Sequence, residues 1–213
     1  MTTSVRTIST PYGDARLHTD RSRHPVASLV LGHGAGRGVE SADLVALARA
    51  LPGLGISVYR IEQPWHVAGK KVASRPEVLD VGTIACVNGI RARTPMVLGG
   101  RSAGARVACR LAKQLGAVGC LALSFPLQPP RRSGRPAKSR LPELLGAGVP
   151  VFVVQGERDA FGGPDVFPDS VELTVVPGAD HSLRVPRRAA LTQDETHALV
   201  VEAVVEWVTA RVG

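Results

Sequence analysis

Short apolar runs alternate along this chain with stretches whose apolar residues recur every three or four positions, a pattern of strands alternating with helices. Val26 to Leu31, Ile56 to Ile61, Met96 to Leu98, Cys120 to Phe125 and Val149 to Val154 are of strand length and nearly free of charge, as strands covered on both faces require. Residues 171 to 176 read as a further strand. Near the start, Val5 to Ile8 and Ala15 to His18 flank Thr10-Pro11-Tyr12-Gly13-Asp14, whose turn chemistry predicts an antiparallel hairpin. Ser41 stands where it would cap a helix with Leu44, Leu47, Ala48 and Leu51 on its inner face, ended by Pro52-Gly53. Glu77 to Ile90 suits a second helix, closed by Thr94-Pro95. Val107, Leu111 and Leu115 mark a third at four-residue spacing, and a short one is expected at Leu141 to Leu145. Thr192-Gln193-Asp194-Glu195 is a capping box opening a last helix with Val201, Val204, Val205 and Val208 aligned. The expectation is a mostly parallel sheet with helices on both faces and its ligand site at the carboxyl ends of the strands.

A chain of 213 residues suits one α/β domain, residues 1 to 213, better than two. The net charge of +8 invites a nucleic-acid reading, but the cations are 22 Arg and 4 Lys scattered along the chain. The densest group, residues 131 to 140, is broken by Pro and Gly and has no aromatic residue on which a base could stack. A solvated loop is the favoured reading there, with a nucleic-acid contact as the alternative. Cys86, Cys109 and Cys120 are odd in number, lack C-x-x-C spacing and lie among apolar residues, so buried free thiols, a reducing compartment and a cytoplasmic location are expected. Met1 to Arg6 has no apolar signal core, and no run approaches membrane-spanning length.

The chemistry centres on Pro95 to Val107, where a buried strand, a sharp turn and a helix follow one another around Gly100-Arg101-Ser102-Ala103-Gly104. Small residues two positions either side of Ser102 let such a turn close, and the turn presents the hydroxyl beside free N–H groups of a helix start. The plainer alternative is a helix N-cap serine in a glycine-rich turn. Two further strand ends bear on the choice. Val151 to Val154 runs into Gln155-Gly156-Glu157-Arg158-Asp159, and 171 to 176 runs into Pro177-Gly178-Ala179-Asp180-His181. The order Ser, Asp, His matches a nucleophile, a carboxylate that orients the base, and the base itself: Ser102, Asp159 and His181. Asp159 could instead cap a turn, with Glu157 or Asp165 as the acid. Asp180 adjoins His181, and adjacent side chains diverge. His197, His66, His18 and His24 are weaker candidates for the base, being out of the required order or far from a strand end. Gly32-His33-Gly34-Ala35-Gly36 follows the strand Val26 to Leu31 but lacks the full G-x-G-x-x-G pattern of a dinucleotide loop. Its Ala35 N–H, paired with that of Ala103, would form an oxyanion hole, leaving His33 to shape the turn.

Taken together, Leu29 to Gly36, Gly99 to Gly104, Ser124 to Leu127, Gln155 to Gly162 and Asp180 to Leu183 resemble, in order, the motifs of a small cap-less α/β-hydrolase family of the dienelactone-hydrolase-like kind. The resemblance spans nearly the whole chain. It implies a three-layer sandwich without a lid domain, the triad Ser102, Asp159 and His181, and no metal or organic cofactor. Dienelactone hydrolases proper use a cysteine nucleophile, so the serine here argues against that substrate. Little room for a lid lies between Phe125 and Val149, which predicts an open site for small or exposed acyl esters or thioesters. Arg37, Arg101, Arg158 and Arg184 fall in loops at the same edge. Arg37 and Arg101 are accordingly candidates to bind an anionic substrate, with simple solvation the alternative. Two readings of other classes stand beside the esterase: a scaffold that keeps the fold without turnover, and a nucleic-acid-associated protein using residues 131 to 140.

Overall fold

The apolar runs all enter one sheet. The computed structural model describes residues 3–128 and 138–212. Its strands are β1 (Thr3–Thr10), β2 (Gly13–Asp20), β3 (Ala27–Gly32), β4 (Ile56–Glu62), β5 (Met96–Arg101), β6 (Gly119–Leu123), β7 (Val151–Gly156) and β8 (Glu172–Val176). They lie in the order β1-β2-β4-β3-β5-β6-β7-β8. β1 and β2 form the expected antiparallel hairpin, β2 runs antiparallel to β4, and every pair from β4 onward is parallel. β3 and β6, inside the sheet, are buried along their whole length, which is why neither shows an alternating pattern.

Helices cover both faces, giving three layers. α1 (Ala42–Ala50) and α6 (Gln193–Val212) place Leu44, Leu47, Val200, Val204 and Val208 against Leu29, Leu31, Val97 and Leu121. On the other face α3 (Pro76–Asn88), α4 (Ala103–Leu111) and α5 (Leu141–Leu145) place Leu79, Val107, Leu111 and Leu144 against Val30, Leu98 and Val153. A four-residue helix, α2 (Pro64–Val67), which the apolar pattern does not announce, follows β4. Among the described residues, α5 is the only helix or strand between β6 and β7, and no helix is long and apolar enough to cross a membrane.

Several boundaries shift for local reasons. β6 stops before Phe125 because Ser124 turns out of the strand with φ +47°. α4 ends at Leu111, and Leu115 packs on the core from a turn closed by Gly116 at φ +71°. Ser41 occupies the N-cap of α1, yet its hydroxyl donates to the Gly38 carbonyl (3.0 Å) instead of accepting from the helix. The Thr192 box forms as expected: Glu195 N–H donates to Thr192 Oγ1 (3.2 Å), and Thr192 N–H donates to Glu195 Oε2 (2.7 Å). α6 buries Thr196, Val200, Val204, Trp207 and Val208, so the inner stripe lies one position from that drawn through Val201 and Val205. Residues 129–137, most of the basic segment, lie outside the described residues. Arg140, at its end, donates to the Pro126 carbonyl (2.9 Å).

All three cysteines are buried and free. Burial pushes the Cys86 thiol up to about 12, and Cys109 rises well above the ordinary thiol value through its contact with Cys120 (Sγ–Sγ 3.7 Å) and through burial. Only about one Cys86 side chain in a thousand or fewer is then thiolate near pH 8, the form that reacts. Native protein titrated with a chromogenic disulfide should release less than one equivalent of thiolate, whereas protein unfolded in guanidinium should release all three; rapid reaction of the native form would contradict the packing.

Candidate active site

Gly32 and Gly100 sit directly opposite each other in the parallel register of β3 and β5, and Gly104, the second residue of α4, packs onto both. A Cβ on Gly104 would fall inside contact distance of the Gly32 carbonyl, and one on Gly100 would lie 2.6 Å from the Gly104 carbonyl carbon and 2.7 Å from the Gly32 oxygen. Only hydrogen at these positions lets the helix begin so close to the sheet. The turn between them holds Ser102 at φ +53°, ψ −109°, a conformation that a non-glycine residue keeps only where its surroundings impose it. Its N–H donates to the Leu123 carbonyl (2.9 Å), tying the corner to β6.

Ser102 is the N-cap of α4, but its hydroxyl makes no capping bond. Ser102 Oγ lies 2.9 Å from His181 Nε2, and His181 Nδ1 lies 2.8 Å from Asp159 Oδ2. A carboxylate accepts only, so Nδ1 carries the proton and Nε2 is left to accept from the serine hydroxyl. The Asp159 side chain is fully buried while that of His181 is 20% exposed, so the base faces the opening and its partner is shielded from water. The sequence-predicted Ser102, Asp159 and His181 are thus brought together from the ends of β5, β7 and β8.

The other candidates are engaged elsewhere. Glu157 accepts from the Gly178 N–H (2.6 Å), Asp165 is exposed in a short turn of helix, and Asp180 Oδ1 accepts from the N–H groups of Ser182 (2.7 Å) and Arg184 (3.0 Å). Asp180 therefore shapes the loop that carries His181. His18 and His66 both bond the Glu62 carboxylate, His197 contacts Gln193, and His24 is exposed beyond β2.

Around this line stand residues the sequence did not single out. Gln155 Nε2 donates to Asp159 Oδ2 (2.8 Å), and the Phe161 N–H donates to Asp159 Oδ1 (2.8 Å), so both carboxylate oxygens have fixed partners. The Phe161 ring lies 4.3 Å from the His181 ring, centroid to centroid. Gln155 is fully buried and falls within the Gln155 to Gly162 motif, which was the available signal; its amide orientation was not.

The loop after β3 packs beside the serine corner: a Cβ on Gly34 would lie 3.4 Å from the Ser102 Cβ. Gln63 N–H donates to His33 Nε2 (3.1 Å), so the other ring nitrogen, Nδ1, bears the proton and donates to the Gly34 carbonyl (2.8 Å). Burial lowers the His33 pKa and keeps the ring neutral, a fixed strut for the loop. Among the described residues, neither the Ala35 nor the Ala103 N–H donates to another protein atom. Beneath them is a cavity of about 10 Å³ bordered by Trp65, Ala73, Leu79 and Val107.

The arginines divide. Arg37, Arg158 and Arg184 are exposed at the edge, as expected. Arg101 is not the loop cation that the sequence suggested: it ends β5 at 5% exposure, lies 3.0 Å from Asp43 on α1, and donates to the His181 carbonyl (2.8 Å). Its charge faces buried Asp43 and its Nη2 is taken by the His181 carbonyl, so it is not an exposed cation at the rim.

The fold, a mostly parallel sheet between helical layers with a strained serine corner at its carboxyl edge, is that of the α/β hydrolases. Residues 25–209 match the model of a family described as an alpha/beta hydrolase domain, and the chain belongs to that family. No curated protein matches the sequence. Among solved structures, XC6422 of Xanthomonas campestris, described as an α/β serine hydrolase without a lid, superposes with a TM-score of 0.72 at 17% identity over 96% of this chain and 94% of that one. An α/β serine hydrolase homologue from Coxiella burnetii gives 0.68 at 17% identity over 96% and 98%. The esterase domain of a Rhodothermus marinus protein gives 0.71 at 16% identity over the full length of both. At these identities the likeness is one of fold, and with the family match it supports an enzyme of the hydrolase class acting on a small molecule.

The glycine contact makes a direct stability test. Gly104→Ala forces a methyl group into the Gly32 backbone, and overpacking of this kind costs about 3 kcal/mol. Urea denaturation should show a loss of that order, while Gly36→Ala, where a Cβ meets nothing within 4 Å, should leave the midpoint nearly unchanged.

Proposed function

We propose that this chain is a serine hydrolase, a single domain over residues 1 to 213, that cleaves small or exposed acyl esters or thioesters through an acyl-enzyme intermediate. The observation that carries the reading is the run of short contacts from Ser102 Oγ through the His181 ring to buried Asp159, set beside two unspent backbone donors. Ser102 Oγ attacks the acyl carbonyl carbon while its proton passes to His181 Nε2. Asp159 stabilises the imidazolium formed and holds the ring in register. The electron pair of the carbonyl moves to its oxygen, and the resulting oxyanion accepts from the N–H groups of Ala35 and Ala103. When the tetrahedral species collapses, the bond to the leaving oxygen or sulfur breaks and His181 returns the proton to it. Water then enters, gives its proton to His181 and attacks the acyl carbon; the acid leaves and Ser102 recovers its hydroxyl proton.

Substrate size follows from the space available. The cavity beneath Ala35 and Ala103 has room for about one water molecule, too little for an acyl chain. This supports an acyl group that is short or lies along the surface. Exposed Arg37, Arg158 and Arg184 would favour anionic esters, a preference that added salt should weaken.

A fluorophosphonate probe tests the reading with no knowledge of the substrate. Native protein should label covalently, Ser102→Ala and His181→Ala should not, and Asp159→Asn should slow the reaction by about 10⁴-fold. A well-folded native protein that fails to label would instead favour a scaffold that keeps the fold without turnover.

A further inference from the structure

Arg101 immediately precedes Ser102, yet its guanidinium is directed inward, with the side chain only 6% exposed. It touches three separate pieces of the site. Nε lies 3.0 Å from Asp43 Oδ2, an ionic approach off the N–H axis, since neither atom has a hydrogen-bond partner. Nη2 donates to the backbone carbonyl of His181 (2.8 Å), and a Cβ on Gly34 would lie 3.2 Å from Nη1, so the third edge of the fork borders the loop that carries Ala35. Asp43 itself is 2% exposed, and burial raises its pKa against the pull of Arg101.

We propose that Arg101 is a positioning residue: anchored on Asp43, it holds the His181 carbonyl, and so the imidazole ring, in line with Ser102. This rests on the reading of the site given above. The physical need for such a brace lies in the His181 loop. This segment has little regular structure, and it turns back through Leu183 at φ +51°. Asp159 and Phe161 hold the ring, and Asp180 closes the turn on either side of it, but the His181 carbonyl itself is bonded by Arg101. Arg101 acts from the residue next to the nucleophile, so the serine and its base are tied to one rigid strand end. A planar guanidinium can meet a carboxylate on one edge and a carbonyl on another at the same time, which the point charge of a lysine cannot.

The experiment compares fluorophosphonate labelling and short-ester turnover in native protein, Arg101→Lys, and the double variant Arg101→Met with Asp43→Leu. The double variant removes both buried charges together and avoids leaving one unpaired. Arg110→Met, which loses ion pairs with Asp80 and Glu143 on the far helical face, serves as the control. Circular dichroism and thermal melting establish folding. The expectation is that Arg101→Lys and the double variant fold, label about 100-fold more slowly, and show a matching fall in kcat with KM nearly unchanged, as displacement of the base by about 1 Å would cause. Arg110→Met should react at the native rate. Labelling of both Arg101 variants at the native rate would overturn the proposal. So would a loss confined to KM for anionic esters, which would make Arg101 a substrate contact, or unfolding of the charge-preserving Arg101→Lys. If native protein does not label at all, it is the hydrolase reading that fails, independently of Arg101.

Discussion

The structure depends on a backbone contact with no side chain in it: the approach of Gly104 to Gly32 and Gly100 across the β3–β5 register. This approach brings the start of α4 against the sheet and sets the strained angle at Ser102. From the same geometry follow the orientation of the serine hydroxyl away from its own helix, the free N–H at Ala103, and the nearness of the Gly34–Ala35 segment. Strain at a single residue is tolerable here because neighbouring elements determine the corner from both sides, through β6 by the Ser102 N–H and through β3 by the glycine packing.

Around that corner the groups that face His181 and His33 have fixed partners, while Arg101 Nε, Asp43 Oδ2 and Gln155 Oε1 are buried without a hydrogen bond among the described residues. Asp159 accepts from Gln155 and Phe161 as well as facing His181, and His33, held neutral by burial, has both ring nitrogens bonded to the backbone. In the mechanism proposed above, the groups that would feel developing charge are already oriented. The net positive charge contributes little to this arrangement. Arg101 is spent internally, Arg106 and Arg110 tie α4 to α5 through Glu143, and the exposed arginines sit at the rim, where water and salt screen them.

Much of this was legible in the sequence, because buried strands and helix faces write themselves into apolar spacing. β3, β4, β5 and β7 lie close to where the runs place them, and Ser102, Asp159 and His181 follow the ends of β5, β7 and β8. What failed to show has a common cause. Spacing reports which face a residue occupies, but it does not report the partner it meets there. Arg101 reads as a loop cation because its partner, Asp43, belongs to a helix on the opposite face of the sheet, well separated in sequence. Gln155 reads as one more residue of a motif until its amide is seen on Asp159. Ser41 stands at the correct cap position, but the Gly38 carbonyl takes its hydroxyl. The short helix α2 carries too few residues to show a period at all.

The same distinction bears on how the site divides its tasks. Ser102 follows β5 in the middle of the sheet and Asp159 follows β7, while His181 follows the edge strand β8 and is held by contacts from Asp159 and Arg101. The rim is different. Ala35, Gly36 and Arg37 are exposed on one side, and Arg158 and Arg184 on another, and a cavity of about 10 Å³ is bordered by Ala35 and Ala103. Under the hydrolase reading proposed above, discrimination between acyl groups would fall to the rim loops, which tolerate change, while the glycine contact leaves the serine corner little freedom to vary.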